Sequence, residues 1–479
     1  MATISGVARR RGQVSPTASV VVLSLGALDF GVEASIVLPA LPALARRYHA
    51  SFAGIGWFAV AFQVVAVAAV PLLGRLGDVV GKRRVLLWAL MAFAAGSLLC
   101  AITHSIGLAI AGRAIQGLGG AVAPLGLAVA RDTLPRARLP RTIGVLAGAA
   151  TFSGAIGFLL SGLLVDKFSP AALFWFLFVF AVLVLALTFA YVQESPERAP
   201  GYVDLAGALL ASTGLGGLLL AISEGNNWGW ASSRVVGLFI AAAALLAMFA
   251  AVEARVSKPL LDLSLLARRP NGNANLCALL FGFAFFLSAY VVPQIAARPE
   301  ASGYGLGFST TKIGLLLTPA CVFGGGAGWV AGRLVDRVGP RVLVSVGSAL
   351  GLAAYLSLAL DHGNVAALAG GTAVTGVSWG LILTGIHAVV MRNVAAHTSG
   401  VAAAVIAATR ITGTAVGAQA AFAVIAASGA VGAFPAEAGF TRAFVMAALG
   451  AGATLVAATF LPGRRRSSST PERSQSVEH

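Results

Sequence analysis

Charge is scarce in this sequence. Of 479 residues, only 10% are Asp, Glu, Lys or Arg, with 17 acids against 33 bases. Cysteine is rarer still, at Cys100, Cys277 and Cys321. All three lie within or at the edge of apolar runs, which excludes a disulfide framework and reads as small buried apolar side chains. No group of residues has metal-ligand spacing, so neither metal nor cofactor is expected. No nucleophile motif occurs, and the loops are too short to build a catalytic site, so an enzyme is not expected. Gly81-Lys82-Arg83 superficially looks like a phosphate loop, but the Ser or Thr is missing and Leu76 stands where the first glycine belongs. Without an ATPase domain, uphill work has to draw on an ion gradient.

Apolar residues fill the space that charge leaves. They make up 58% of the chain, and mean hydropathy is +0.89. Runs of about 20 such residues are membrane-spanning helices, and a β-barrel would instead show short alternating segments. Fourteen runs are expected, at 19–44, 52–73, 85–103, 106–130, 141–164, 170–192, 203–223, 234–254, 272–296, 310–331, 341–360, 364–390, 399–427 and 440–461. The first follows Arg9, Arg10 and Arg11. It is too long for a signal h-region and carries two acids, so it is expected to stay as the first span.

The net charge of +16 suggests nucleic acid until position is considered. With an inner N-terminus, inner segments hold 24 Lys and Arg and outer loops hold 7. That is the positive-inside bias of a membrane protein, not a binding face for nucleic acid. Both termini are then cytoplasmic. Arg46 and Arg47 are the outer exceptions. Trp57, Trp175, Trp228 and Trp230 fall at outer helix ends, as in an aromatic belt. Trp379 does not, lying near the middle of helix 12.

One pattern organises the chain. Gly74-Arg75-Leu76-Gly77-Asp78-Val79-Val80-Gly81, followed by Lys82, Arg83 and Arg84, separates two apolar runs. A copy stands 258 residues later, at Gly332-Arg333-Leu334-Val335-Asp336-Arg337-Val338-Gly339. Two similar halves follow from the repeat. The glycines allow close approach, and Asp78 is expected to cap the following helix. The copies follow helices 2 and 10, so two helices are extra and fall at 203–254. The expected division is a segment 1–18, a bundle 19–192, the helices 203–254, a bundle 272–461 and a disordered tail 462–479.

Charges deep in the spans are the candidate working parts. Asp29 and Glu33 are four apart and share one face of helix 1. An acid at mid-bilayer costs about 2.5–3.5 kcal/mol, and two close carboxylates repel, so a proton or a cation is a natural tenant. A packing pair satisfied by a hydroxyl is the plainer reading. Helix 4 aligns Arg113, Gln116, Gly117, Gly120 and Pro124 on one stripe, with Asp29 or Glu33 as the candidate partner of Arg113. Arg410 lies deep in helix 13 with no acid deep in any second-half helix. Helix 9 carries Phe281, Phe283, Phe285, Phe286 and Tyr290, facing lipid or an interior. Helix 12 carries Thr375, Ser378, Trp379, Thr384 and His387, a polar set that argues for an interior face. His387 reads as a packed histidine before a proton relay.

Several motifs together resemble one family. The loop at 74–84, Leu28-Asp29 with Leu38-Pro39, Arg113-x-x-Gln-Gly, Ser223-Glu-Gly and Lys258-Pro-Leu-Leu-Asp262 resemble the fourteen-helix drug:proton antiporter branch of the major facilitator superfamily. The resemblance covers nearly the whole chain. It implies an all-α polytopic fold, with two six-helix bundles and two extra helices around a cavity lined by helices 1, 4, 9 and 12. It implies proton-driven export of hydrophobic or amphipathic small molecules from the cell membrane, in monomeric form. Export of one endogenous metabolite, lipid or antibiotic is the alternative, and a sensor that transports nothing is a third. Asp29, Glu33 and Arg113 would couple protons. Asp29 matches the family's helix 1 acid; Glu33 has no counterpart in the family's pattern and is read as setting substrate preference, for cations. Gly74, Asp78, Gly81, Arg83, Arg84, Gly332, Asp336 and Gly339 would form the cytoplasmic gate. Gln116, Phe281, Phe285, Tyr290, Trp379, His387 and Arg410 would face substrate. The chain departs from the branch in helix 5, where Ser153-Gly-Ala-Ile-Gly157-Phe158-Leu-Leu-Ser161-Gly162 has Phe158 in place of a proline and Ser161 in place of a glycine.

The orientation is directly testable. Tags at the N-terminus, within 194–201 and in the C-terminal tail are expected to be accessible only from the cytoplasm, and a tag at Asn226 only from outside. A cytoplasmic signal at Asn226 would exclude the fourteen-helix arrangement.

Overall fold

The structure, a computed structural model, describes residues 16–134, 139–195, 204–256, 271–393, 399–431 and 434–463. The expected stretch Lys258–Asp262, most of the 194–201 linker and almost all of both terminal segments lie outside these residues. The helices are α1 Pro16–Arg47, α2 Phe52–Val80, α3 Lys82–Ile102, α4 Ile106–Thr133, α5 Leu139–Lys167, α6 Pro170–Tyr191, α7 Leu205–Trp228, α8 Ser233–Glu253, α9 Asn271–Ala296, α10 Thr310–Val338, α11 Pro340–Leu360, α12 Val365–Asn393, α13 Ser399–Ala427 and α14 Glu437–Ala458. Thirteen of them are long and apolar enough to cross a membrane. The remaining one, α5, has 29 residues and packs between α1 and α10. Among the described residues, the regular structure is helical apart from two two-residue strands, Ala430–Val431 and Phe434–Pro435.

Local chemistry sets many of the ends. Ser51, Ser232 and Asp204 each accept an N–H from the first turn of α2, α8 and α7, filling donors that a helix leaves open. Pro170 and Pro340 open α6 and α11, where a missing N–H costs nothing. Pro39 and Pro42 lie inside α1, which continues to Arg47. One expectation changes. The segments Gly74–Val80 and Gly332–Val338 are not loops but the last turns of α2 and α10. In the first copy only Gly81 separates two helices, and its φ of +124° is one that a side chain would oppose.

The two halves repeat each other with an offset of eight helices. In the first, α1 packs on α5 and α6, α2 on α4, and α3 on α4 and α6; in the second, α9 packs on α13 and α14, α10 on α12, and α11 on α12 and α14. The halves meet reciprocally, α2 against α13 and α5 against α10. Of the extra pair, α7 packs on α2 and α13, with Asn226 Nδ2 donating to the carbonyl of Ala423 at 2.6 Å, and α8 packs on α7. Large apolar side chains such as Phe152, Phe189 and Leu449 stand exposed on the outside of the bundle, as a lipid-facing surface requires.

Contacts between the halves concentrate away from Gly81. At the far end, Asp166 on α5 accepts the N–H groups of Thr310 at 3.1 Å and Thr311 at 2.8 Å, capping α10 across the boundary. Gly162 lies against the backbone of Thr311, and Gly314 against the carbonyl of Phe158. At mid-depth Gln63 bridges Tyr290 and Thr414. Gly314→Val would force α5 and α10 apart and is expected to cost about 1–3 kcal/mol. Gly326→Val, where a Cβ meets open space, should leave stability unchanged. Thermal melts of the purified protein in detergent compare the two.

Candidate functional site

The first-half site is built on α1, α2, α3 and α4. Asp29 and Glu33 sit one turn apart on α1, 2% and 0% exposed. Arg113 on α4 is 4% exposed. Its Nη1 donates to Glu33 Oε1 and, at 2.9 Å, to Gln116 Oε1, while Nε lies 3.4 Å from the carbonyl of Phe58. The guanidinium also lies over Phe62 and Phe58, 5.1 and 5.5 Å from their ring centres. Gln116 Nε2 donates to Ser97 Oγ at 2.7 Å, and Ser97 donates to the carbonyl of Phe93. This chain needs α3 and α4 to touch. Gly96 against the Gly112 carbonyl and Gly112 against Cys100 allow it.

The partner of Arg113 is therefore Glu33. A unit of Asp29 with Arg113 is not formed, and Asp29 Oδ1 is buried without a hydrogen-bond partner. Glu33 Oε1 meets Arg113, and its Oε2 is buried without a hydrogen-bond partner. The reason is register: Glu33, one turn further along α1, is the acid that meets the guanidinium.

The gate residues also differ from expectation. Asp78 does not cap α3; it lies in the last turn of α2, 3.9 Å from Arg75 and 3.5 Å from Lys82. The cap comes from Glu194, just past α6, whose carboxylate accepts the N–H of Arg83 at 2.9 Å and fills the space beside Gly81. Arg83 reaches back to the carbonyl of Phe189 at 2.6 Å, and Lys82 pairs with Asp132 of α4 at 2.6 Å. Arg84 is exposed. In the second copy Asp336 pairs with Arg392 of α12. Each half thus ties this junction to its fourth helix by an ion pair, with the sign of the charges reversed. Gly74 and Gly332 have open space around them, and Gly339 turns the chain with φ +87°.

The second-half candidates form one cluster. Trp379 on α12 has its ring centre 4.6 Å from Phe285, 5.2 Å from Phe281 and 6.1 Å from Phe286, all on α9. The row continues through Tyr290 to Phe422. Arg410 on α13 lies 5.4 Å from the Trp379 ring centre. His387 Nδ1 is 2.7 Å from the carbonyl of Leu383, as for a packed histidine.

Ser97, Phe58, Phe62, Gln63, Thr414, Asp166 and Glu194 are working parts that the sequence reading passed over. Gln63 carried a signal, a lone amide in an apolar run. Glu194 was legible only as part of a polar linker. Arg47, an exception in the charge count, donates to the carbonyls of Ala101 and Thr103 at the end of α3.

Comparison with known proteins gives this architecture a context. A profile of the Major Facilitator Superfamily matches residues 23–418. The chain is 29% identical over 402 residues to the multidrug resistance protein Stp of Mycobacterium tuberculosis (strain ATCC 25618 / H37Rv), covering 83% of this chain and 74% of that one. It is 28% identical over 406 residues to the tetracenomycin C resistance and export protein of Streptomyces glaucescens, covering 82% and 72%. Among solved structures, a D-xylose-proton symporter superposes with TM-score 0.65 at 17% identity, over 93% of this chain and 98% of that one. The peptide-family transporter PepTSo gives 0.65 at 15% identity, over 93% and 97%.

The buried pair makes a measurable prediction. Removing one partner strands the other charge, so Glu33→Gln or Arg113→Gln alone is expected to cost about 3–5 kcal/mol. The double substitution is expected to cost less than either single one. Unfolding in detergent checks this, and simple additivity of the two losses would refute the pair.

Proposed function

This chain belongs to the Major Facilitator Superfamily, and from that premise we propose that it exports hydrophobic or amphipathic small molecules in exchange for protons. It is a multi-pass membrane transporter. Our reading places it in the cell membrane as a monomer with both termini cytoplasmic. The observation that carries the coupling is Asp29, a carboxylate buried in the bundle with Oδ1 unpartnered. An unpaired carboxylate in such surroundings is poorly tolerated in its charged form. Asp29 therefore holds a proton when shut from water and yields it when the cavity admits water or substrate. Glu33 Oε1 is paired with Arg113 while its Oε2 has no hydrogen-bond partner; our reading gives that pair the local field and gives Asp29, which no ion pair holds among the described residues, the proton.

Alternating access supplies the rest. The bundles at 19–192 and 272–461 rock about the α2–α13 and α5–α10 contacts. The Asp166 cap on α10 closes the outer side, and the Gly81 end is the cytoplasmic side. There the ties from Lys82 to Asp132, Glu194 to α3 and Asp336 to Arg392 keep each bundle rigid as it moves. The names of the relatives support export and include both multidrug resistance and export of one antibiotic. A narrow range, such as one metabolite, lipid or antibiotic, is thus the second reading. Growth of a deletion strain against varied toxic compounds separates the two.

Proteoliposomes with an imposed pH gradient test the first. Wild type is expected to concentrate ethidium or fluorescein. Asp29→Asn should reduce uphill transport to the level of protein-free liposomes while allowing downhill exchange. Uphill transport at the wild-type rate in Asp29→Asn would remove the assignment.

A further inference from the structure

The two deep arginines have opposite surroundings. Arg113 is enclosed, and its donors meet Glu33, Gln116 and the carbonyl of Phe58. Arg410 sits in α13 about 16 Å from the helix start at 1.5 Å per residue. It is partly exposed. Among the described residues, no carboxylate and no hydrogen-bond acceptor is matched to it, and its contact is the face of Trp379. No acid lies deep in any second-half helix that could supply one. A guanidinium carries five N–H donors and stays charged at any physiological pH. At this depth those donors need an anion or a partner with acceptors.

The surroundings specify more than charge. Arg410 Cζ lies over the Trp379 ring, 5.4 Å from its centre, and the guanidinium's own bonding keeps its donors in one planar fork. Phe285, Phe286 and Tyr290 extend the same wall from Trp379 toward Gln63. Phe281, Phe285, Phe286 and Trp379 touch one another on α9 and α12. The close approach of α9 and α13, with Gly282 against the carbonyl of Arg410, fixes that wall beside the arginine. Planar charge next to an aromatic wall is the complement of a planar aromatic acid. The acid group would take the guanidinium through paired hydrogen bonds, and the ring would lie along the wall. In the first half, by contrast, the deep arginine already has a carboxylate, since Arg113 is paired with Glu33.

We propose that Arg410, backed by Trp379, is an anion-binding subsite that selects aromatic small molecules bearing a carboxylate or another acidic oxygen. This deepens the exporter reading and rests on it for biological meaning, but the binding itself needs no gradient.

The test is equilibrium binding to the purified full chain in detergent, by calorimetry. The probes are 2-naphthoate, its uncharged amide 2-naphthamide and the cation 2-naphthylmethylammonium. Wild type should bind naphthoate at least about tenfold tighter than the amide, the range expected of a charge-assisted bond. The cation should bind most weakly. Arg410→Gln should erase the preference for the acid, bringing acid and amide to similar affinity. Arg410→Lys should keep part of it, because charge survives while the planar fork is lost. If Arg410→Gln does not fold, Arg410→Lys together with Trp379→Leu decides, since both should narrow the gap between acid and amide. Equal binding of the three probes to wild type, or an undiminished preference in the variants, overturns the subsite. Naphthoate selectivity without proton-driven flux would sink the exporter reading and leave the subsite standing. Flux without selectivity would do the reverse.

Discussion

The ion pair between Glu33 and Arg113 lies where no water reaches it, and it is held from several directions at once. An isolated charge in such a place is costly, and a pair is tolerated only when its remaining hydrogen-bonding groups are also met. Gln116, Ser97 and the carbonyls of Phe58 and Phe93 meet many of them. Those partners come from α2, α3 and α4, so the pair fixes how three helices sit around α1. The close contacts of Gly96 and Gly112 are part of the same requirement, since a wider α3–α4 spacing would strand Gln116.

The same logic governs the ends of the helices. A helix terminus leaves N–H and C=O groups without partners, and in a bundle these become attachment points. Asp166 uses the start of α10 to join the two halves, Glu194 uses the start of α3 to hold α6, and Arg47 uses the end of α3 to hold α1. Only the first of these crosses between the halves. That distribution fits the alternating access we propose, in which the halves would part at one end while each keeps its own ties.

The repeat is structural more than chemical. Both halves pack their helices in one order, and both tie the Gly-Arg-Leu junction to their fourth helix, but with charges of reversed sign. Deep inside, the first half balances an arginine with a glutamate, whereas the second leaves its arginine against an indole. Twofold architecture thus encloses asymmetric chemistry, and our proposal assigns protons to one half and cargo to the other.

The sequence by itself determined the helical runs and the repeat, and it marked the charges buried deep in them. Apolar runs in a chain with 10% charge leave only helices as solutions in lipid, and a deep acid or arginine is too expensive to be incidental. It could not say which acid meets Arg113, because Asp29 and Glu33 share a face and differ by one turn. The orientation of α4 against α1 chooses Glu33. Nor could it find Glu194 as the cap of α3, because 111 residues separate it from Arg83 and only the packing of α6 on α3 brings them together. The aromatics of α9 read equally as lipid-facing or internal, since a uniformly apolar helix carries no period that marks its inner face. Tertiary structure settled it by setting Phe281, Phe285 and Phe286 against Trp379, and Trp379 beneath Arg410.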